Sequence, residues 1–241
     1  VVTIASPAPA HAAQAVAALR AGRPVYVEKP LAVTLDEASA IRAAAAQAGV
    51  TVACGHQERV LFQVIGLFDI PEQPVRLEAV RHGAPSERSL DVSVVLDLMI
   101  HDLDLALALS VARPARVNAE GALGAAGQWA EVKAEVTFDD GFVAAFDVSR
   151  RASGRGRAMR IVYPSGEVEI DFLSRAFRNS TPYALNAGFA ETSAAQDTLA
   201  ASITAFLQAV RGDAPAPLVG LDEAAQALEL ALAIERKLAS R

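Results

Sequence analysis

The chain opens on an apolar run, Val1-Val2-Thr3-Ile4, and then alternates short apolar stretches with longer amphipathic ones. Val1–Ser6 reads as a buried strand and Pro7-Ala8-Pro9 as a loop. Ala10–Ala21 reads as an alanine-rich helix stopped by Gly22, in the place a helix C-cap would use. Pro24–Val27 is a second strand, closed by Glu28-Lys29-Pro30. Thr34 and Glu37 have the spacing of a capping box and open a helix that runs to Gly49. Val50–Cys54 is a third strand. Strands and helices alternating at this spacing predict right-handed crossovers and a parallel sheet with helices on both faces.

The periodicity changes after residue 70. Val75–His82 alternates apolar and polar side chains, as a half-exposed strand does. A strong helix follows over Val94–Ser110. Alternation returns in Arg116–Gly121, Ala130–Phe138, Phe142–Arg150, Met159–Tyr163 and Glu167–Phe172, with Gly121–Gly127 as a loop. Asp139-Asp140-Gly141 marks a hairpin turn. Two helices close the chain, near Ala194–Val210 and Asp222–Ala239. The second part is therefore antiparallel α+β, with the boundary between about Gln57 and Pro74.

Composition narrows the class. The chain has 241 residues, a hydrophobic fraction of 52% and a formal charge of −6, and alanine makes up about a fifth of it. A disordered protein would be far less apolar, and a nucleic-acid binder is usually basic. The most apolar stretch, Val92–Val111, carries Asp97, His101, Asp102 and Asp104, which excludes it as a membrane span. No basic segment precedes the opening apolar run, so that run is not expected to be a signal peptide. The single cysteine, Cys54, allows no internal disulfide and suits a reducing, cytoplasmic setting.

Two constellations could carry chemistry. Glu28-Lys29-Pro30 sits at the C-terminal end of a parallel strand, where open α/β sheets bind ligands. A solvated surface turn is the plain alternative. Three lysines against nineteen arginines make a lysine at this corner a departure from the chain's habit. Asp97 and His101, four apart, fall on one helix face, where a carboxylate can orient an imidazole and raise its basicity. An amphipathic helix with an acidic face is the competing account. His101-Asp102 also echoes metal-dependent HD phosphohydrolases, but those are all-helical, whereas residues 115–172 read as strands. No metal site is expected. Arg150, Arg151, Arg155, Arg157 and Arg160 could clamp a phosphate, although a solvated strand end accounts for them more simply. Cys54 reads as core, and His11 and His56 lie near strand ends.

Together these pieces resemble the glucose–fructose oxidoreductase / inositol 2-dehydrogenase / MocA family of NAD(P)-dependent oxidoreductases. The resemblance rests on Ala5-Ser6-Pro7 with His11, on Ala21 through Glu28-Lys29-Pro30-Leu31-Ala32, on Gly55-His56-Gln57-Glu58-Arg59, and on Leu96-Asp97 through His101-Asp102-Leu103-Asp104. It implies a partial dinucleotide-binding, Rossmann-like domain at 1–60. It also implies a substrate-binding and oligomerisation domain at 61–241, built on an open, mainly antiparallel sheet with flanking helices. Ser6, Pro7, His11, Glu28 and Lys29 would contact NAD or NADP. Lys29, Asp97 and His101 would act on the hydroxyl of a sugar, cyclitol or nucleotide-sugar, with His101 as base and Asp97 as its orienting partner. The expected assembly is a homodimer or homotetramer, without nucleic acid or membrane. A non-catalytic sugar-binding or regulatory protein on the same fold is the alternative.

The chain departs from the family pattern in three places. Ala8 replaces the usual Asn of the first loop, and Asp91-Val92-Ser93-Val94 replaces the glycines that often precede the catalytic helix. No Gly-x-Gly-x-x-Gly follows an early strand, so the pyrophosphate-binding turn is expected upstream of Val1, within two further strand–helix units.

Overall fold

The computed structural model describes residues 1–84, 92–125 and 127–240, and these form two compact units. The first comprises Val1–Val64 with Glu191–Glu229, and the second Ile65–Ala190 with Leu230–Arg241. The stretch 191–229, which sequence reading grouped with 61–241, thus clusters with the N-terminal residues.

In the first unit, β1 (Val2–Ile4), β2 (Val25–Val27) and β3 (Val52–Cys54) form a parallel sheet in sequence order. Helix α1 (His11–Arg20) buries Ala12, Ala15 and Leu19, and α2 (Leu35–Ala48) buries Ala38, Ile41, Ala44 and Ala45. Thr34 caps α2 through the reciprocal box with Glu37, and Gly49 ends it in the left-handed conformation. With strands in sequence order, right-handed crossovers put both helices on one face of the sheet, and α1 and α2 pack on each other there.

The other face is covered from far along the chain. Tyr26 and Ala53 pack against Phe206 of α6 (Thr198–Arg211), and the Tyr26 hydroxyl meets Ser202 Oγ at 2.9 Å. Burial pushes that phenol up to about 12, so it stays protonated. The single helix expected over 194–210 is broken. α5 (Ser193–Gln196) is capped by Thr192 and ends at Asp197, whose carboxylate caps α6. Helix α3 (Glu58–Ile65) follows β3 and was not anticipated.

The second unit is a seven-stranded sheet. Its strands are β4 (Arg76–His82), β5 (Pro114–Leu123), β6 (Trp129–Phe138), β7 (Val143–Ser149), β8 (Gly156–Tyr163), β9 (Gly166–Asp171) and β10 (Phe177–Asn179). Their order is β10-β9-β8-β4-β7-β6-β5, with β4 and β7 parallel and every other pair antiparallel. The turn Asp139-Asp140-Gly141 joins β6 to β7, with Gly141 at a φ of 89°. Gly121–Leu123, expected as loop, continues β5, while Ala126 of the same stretch lies outside the described residues.

The inner face of this sheet is apolar, with Leu77, Ala79, Val132, Val136, Phe146 and Ile161 buried. Arg81 takes the next inward position on β4 and is 2% exposed. It bonds Asp102 of α4 (Ile100–Leu109) twice, Nε to Oδ2 at 2.9 Å and Nη2 to Oδ1 at 2.7 Å. The closing helix, α7 (Leu221–Ala239), contributes Leu230, Ala231, Ile234 and Leu238 to the second unit.

The buried pair dictates a stability pattern. Arg81→Met or Asp102→Asn leaves one charge or its partner uncompensated, and should cost about 3–5 kcal/mol in urea unfolding. Arg81→Met with Asp102→Leu should recover most of that loss. Single variants as stable as the parent would refute the anchoring role.

Candidate active site

Three turns gather at the carboxyl ends of the parallel strands. After β1 come Ala5, Ser6 and Pro7; after β2, Glu28-Lys29-Pro30; after β3, Gly55-His56-Gln57. Backbone bonds lock them together: Glu28 N–H to Ile4 O at 2.9 Å and Gly55 N–H to Val27 O at 2.8 Å. The Lys29–Pro30 peptide is cis.

His11 is 1% exposed and spans two of these turns. Its Nδ1 lies 2.8 Å from Pro30 O and its Nε2 2.8 Å from Ser6 O. Both partners are acceptor-only carbonyls, so the ring braces the loop. The Ser6 hydroxyl donates to Gln14 Oε1 at 2.9 Å.

Glu28 is half-buried and pressed against bare backbone. A Cβ added at Gly55 would sit 2.7 Å from Glu28 Oε2, so the carboxylate occupies space that only glycine leaves open. Burial pushes its carboxyl above the usual range, while the Lys29 charge and a hydrogen bond from Gln57 Nε2 at 3.1 Å pull it back. Gly55 and Gln57 belong to the motif read from sequence, but their contact with Glu28 could not be read there. Arg59, two residues on, donates to Glu223 Oε1 at 2.5 Å.

The second unit holds Asp97 and His101. Asp97 lies within a π-helical stretch, Val95–Met99, in which Ile100 N–H bonds Val95 O five residues back, and His101 follows in α4. Such widened turns are rare and occur frequently at functional sites. Asp97 Oδ2 accepts from Arg150 Nη2 at 3.0 Å. The basic cluster therefore does not behave as a solvated group throughout: Arg150 is buried, whereas Arg151 and Arg155 are exposed. Of the residues preceding the helix, Asp91 lies outside the described residues, and Val92 and Ser93 are buried.

Asp102 and Asp104 are buried, and Asp102 is committed to Arg81. Among the described residues, no three His, Cys, Asp or Glu side chains are grouped to hold a metal ion. No described helix is long and apolar enough to cross a membrane. Cys54 is buried and in no disulfide.

Comparison with known proteins places these features. Residues 1–56 match the model of an oxidoreductase family with an NAD-binding Rossmann fold, and residues 73–169 match the GFO/IDH/MocA C-terminal domain. UDP-N-acetylglucosamine 3-dehydrogenase of Acidithiobacillus ferrooxidans is 33% identical over 97% of this chain and 78% of its own length. A structure of that enzyme superposes with a TM-score of 0.88 at 31% identity, over 99% of this chain and 78% of its own. The WlbA dehydrogenase of Bordetella pertussis, solved with NADH and UDP-GlcNAcA, shares the fold at a TM-score of 0.85. It is 18% identical, over 99% of this chain and 77% of its own. The chain belongs to the Gfo/Idh/MocA family of NAD(P)-dependent oxidoreductases.

Proposed function

We propose that this protein transfers a hydride between a nicotinamide dinucleotide and a carbinol carbon of a sugar, and that a UDP-N-acetylhexosamine is its substrate class. The observation that carries this reading is the Glu28-Lys29 corner at the carboxyl end of β2, flanked by the Ser6-Pro7 and Gly55-Gln57 turns. That position is where open parallel sheets take ligands. Glu28 packs on the bare backbone of Gly55, which fixes its carboxylate at that strand end. The identity with UDP-N-acetylglucosamine 3-dehydrogenase favours the sugar nucleotide over a free sugar or cyclitol.

When bound, NAD(P) supplies the hydride chemistry, and the protein supplies placement and charge. Ser6, Pro7 and Glu28 hold the dinucleotide, and His11 acts on it by bracing the loop that carries Ser6 and Pro7. Lys29 places a cation on the substrate oxygen and lowers the cost of negative charge there. His101 takes the hydroxyl proton during oxidation and returns it during reduction, and Asp97 stabilises the charged imidazole. A buried cysteine outside any disulfide, Cys54, fits the cytoplasm.

The outer face of the seven-stranded sheet fits a second copy of the chain. Val80, Ala145 and Ala158 present small apolar surface there, ringed by ion pairs such as Arg160–Glu78 at 3.3 Å and Lys133–Asp147 at 3.5 Å. A stable dimer needs roughly 800 Å² from each partner.

Three measurements on the natural full-length protein test these readings. Lys29→Ala and His101→Ala should each lower turnover of UDP-N-acetylglucosamine with NAD by ~10²–10⁴-fold while leaving the unfolding midpoint unchanged. Binding of substrate and NADH without turnover by the parent would favour a non-catalytic relative instead. Gly55→Ala should displace Glu28 and weaken NADH binding about 10–100-fold in a fluorescence titration, the worth of one charge-assisted hydrogen bond. Unaltered affinity would remove Glu28 from the cofactor site. Light scattering should give a dimer or tetramer, shifted toward monomer by Val80→Arg. A monomeric parent would end the assembly proposal.

A further inference from the structure

The segment before the Asp97–His101 helix is held from two sides. Arg150 follows β7 and is buried, and its guanidinium donates to three acceptors on that segment. Nη1 reaches Val92 O at 3.0 Å, and Nη2 reaches Ser93 O at 3.3 Å and Asp97 Oδ2 at 3.0 Å. From the other side, Ser93 Oγ accepts the Val95 and Leu96 N–H groups at 3.2 and 3.3 Å, and donates to the Glu235 carboxylate of α7. Glu235 belongs to the same unit, and burial pushes its carboxyl above the ordinary range while the Ser93 hydrogen bond opposes this.

The turn so held is the π-helical one. In an α-helix a full turn takes 3.6 residues, so position i+4 overshoots i. Where the bonding is i→i+5, a turn takes more residues, and i+4 comes back toward alignment with i. Asp97 and His101 are four apart across this widened turn. Apolar burial of Val95, Leu96 and Met99 does not select the wider turn by itself, because a plain α-helix also buries such positions. A fixed point before the turn tied to one within it does select it. Arg150 joins Val92 O and Ser93 O, before the turn, to Asp97 within it. Ser93 on Glu235 holds the first of these points a second time.

We propose that Arg150, backed by the Ser93–Glu235 pair, is a positioning residue for the reaction assigned above: it fixes one oxygen of Asp97 and maintains the widened turn that aligns Asp97 with His101. The inference rests on the role given to those two residues under the proposed function. Arginine is required because one planar fork serves three acceptors in fixed directions, and a lysine ammonium cannot reproduce that geometry.

The test uses the natural full-length protein and its Arg150→Lys variant, which keeps the charge and loses the fork. The expected result is a fall in kcat of about 10–100-fold, the cost of misplacing a catalytic group by about 1 Å. KM for NAD should be unchanged, and the limb of the pH–rate profile that reports the proton-transfer group should shift. A folded Arg150→Lys protein with parental kcat and pH profile overturns the proposal. If Arg150→Lys fails to fold, Ser93→Ala approaches the same turn from the other side, with the same two outcomes. If the parent turns over no sugar nucleotide, the proposed function fails separately. The turn is then read by crystallography of Arg150→Met: relaxation of 95–99 to a plain α-helix supports the positioning role, and a retained π turn overturns it.

Discussion

Everything in the second unit is referred to the doubly bonded pair of Arg81 and Asp102. Two parallel N–H···O contacts, with both side chains almost wholly out of water, fix the rotation of α4 about its own axis as well as its height on the sheet. Apolar packing alone would leave that rotation loosely specified, because α4 is buried nearly all round. His101 is adjacent to Asp102, so fixing one side chain inward sets the direction of the next. The pair is costly to bury and need not add stability over an apolar pair. Its value lies in specifying one arrangement of a helix that would otherwise have several.

The first unit solves the same problem with backbone. Short strands of three residues cannot aim side chains by themselves, so the turns that follow them are tied to one another by main-chain bonds and by the His11 ring. Glu28 then rests on Gly55, where the absence of a side chain is the structural requirement. The strand-end turns are thus a rigid polar rim, which is what a ligand that must be held within a fraction of an ångström demands.

Local signals made most of this fold legible. The Thr34–Glu37 box, the Gly49 stop and the Asp139-Asp140-Gly141 turn each have one physical meaning, and the structure uses them that way. Alternation found the strands of the second sheet, though not β10, whose three residues are too few to show a period. Two features depended on partners distant in sequence and were therefore hidden. α6 covers the first sheet from about 150 residues beyond β3, and no local pattern says which sheet a helix will choose. A local signal was missed beside it: Asp197, three residues inside the helix expected over Ala194–Val210, reads as helix interior, whereas its carboxylate caps α6. Arg150 sits among other arginines at a strand end, and only the segment it meets, more than fifty residues earlier, distinguishes it from Arg151. The Asp97–His101 spacing predicts a helix there, but the widened turn between them leaves no trace in residue spacing.

The chain's preference for arginine follows from where its cations are placed. Arg81, Arg150 and Arg59 are each largely withdrawn from water and each meets a carboxylate, with Arg150 also serving carbonyls. Such sites favour a weakly hydrated planar fork over a strongly hydrated ammonium, whose desolvation would go unrewarded by a single direction of bonding. Two of the three lysines are elsewhere put to ordinary surface use, Lys133 on the outer sheet face and Lys237 in the last turn of α7. Lys29 is different in kind. It stands at a strand end, half-buried, beside a carboxylate already strained by burial. A fork there would be drawn into bidentate contact with Glu28, whereas a point charge on a flexible stem meets the neighbouring carboxylate and keeps its freedom to turn. The one position where this arginine-rich chain keeps a lysine beside its strand ends is thus where a mobile charge is worth more than a fixed geometry.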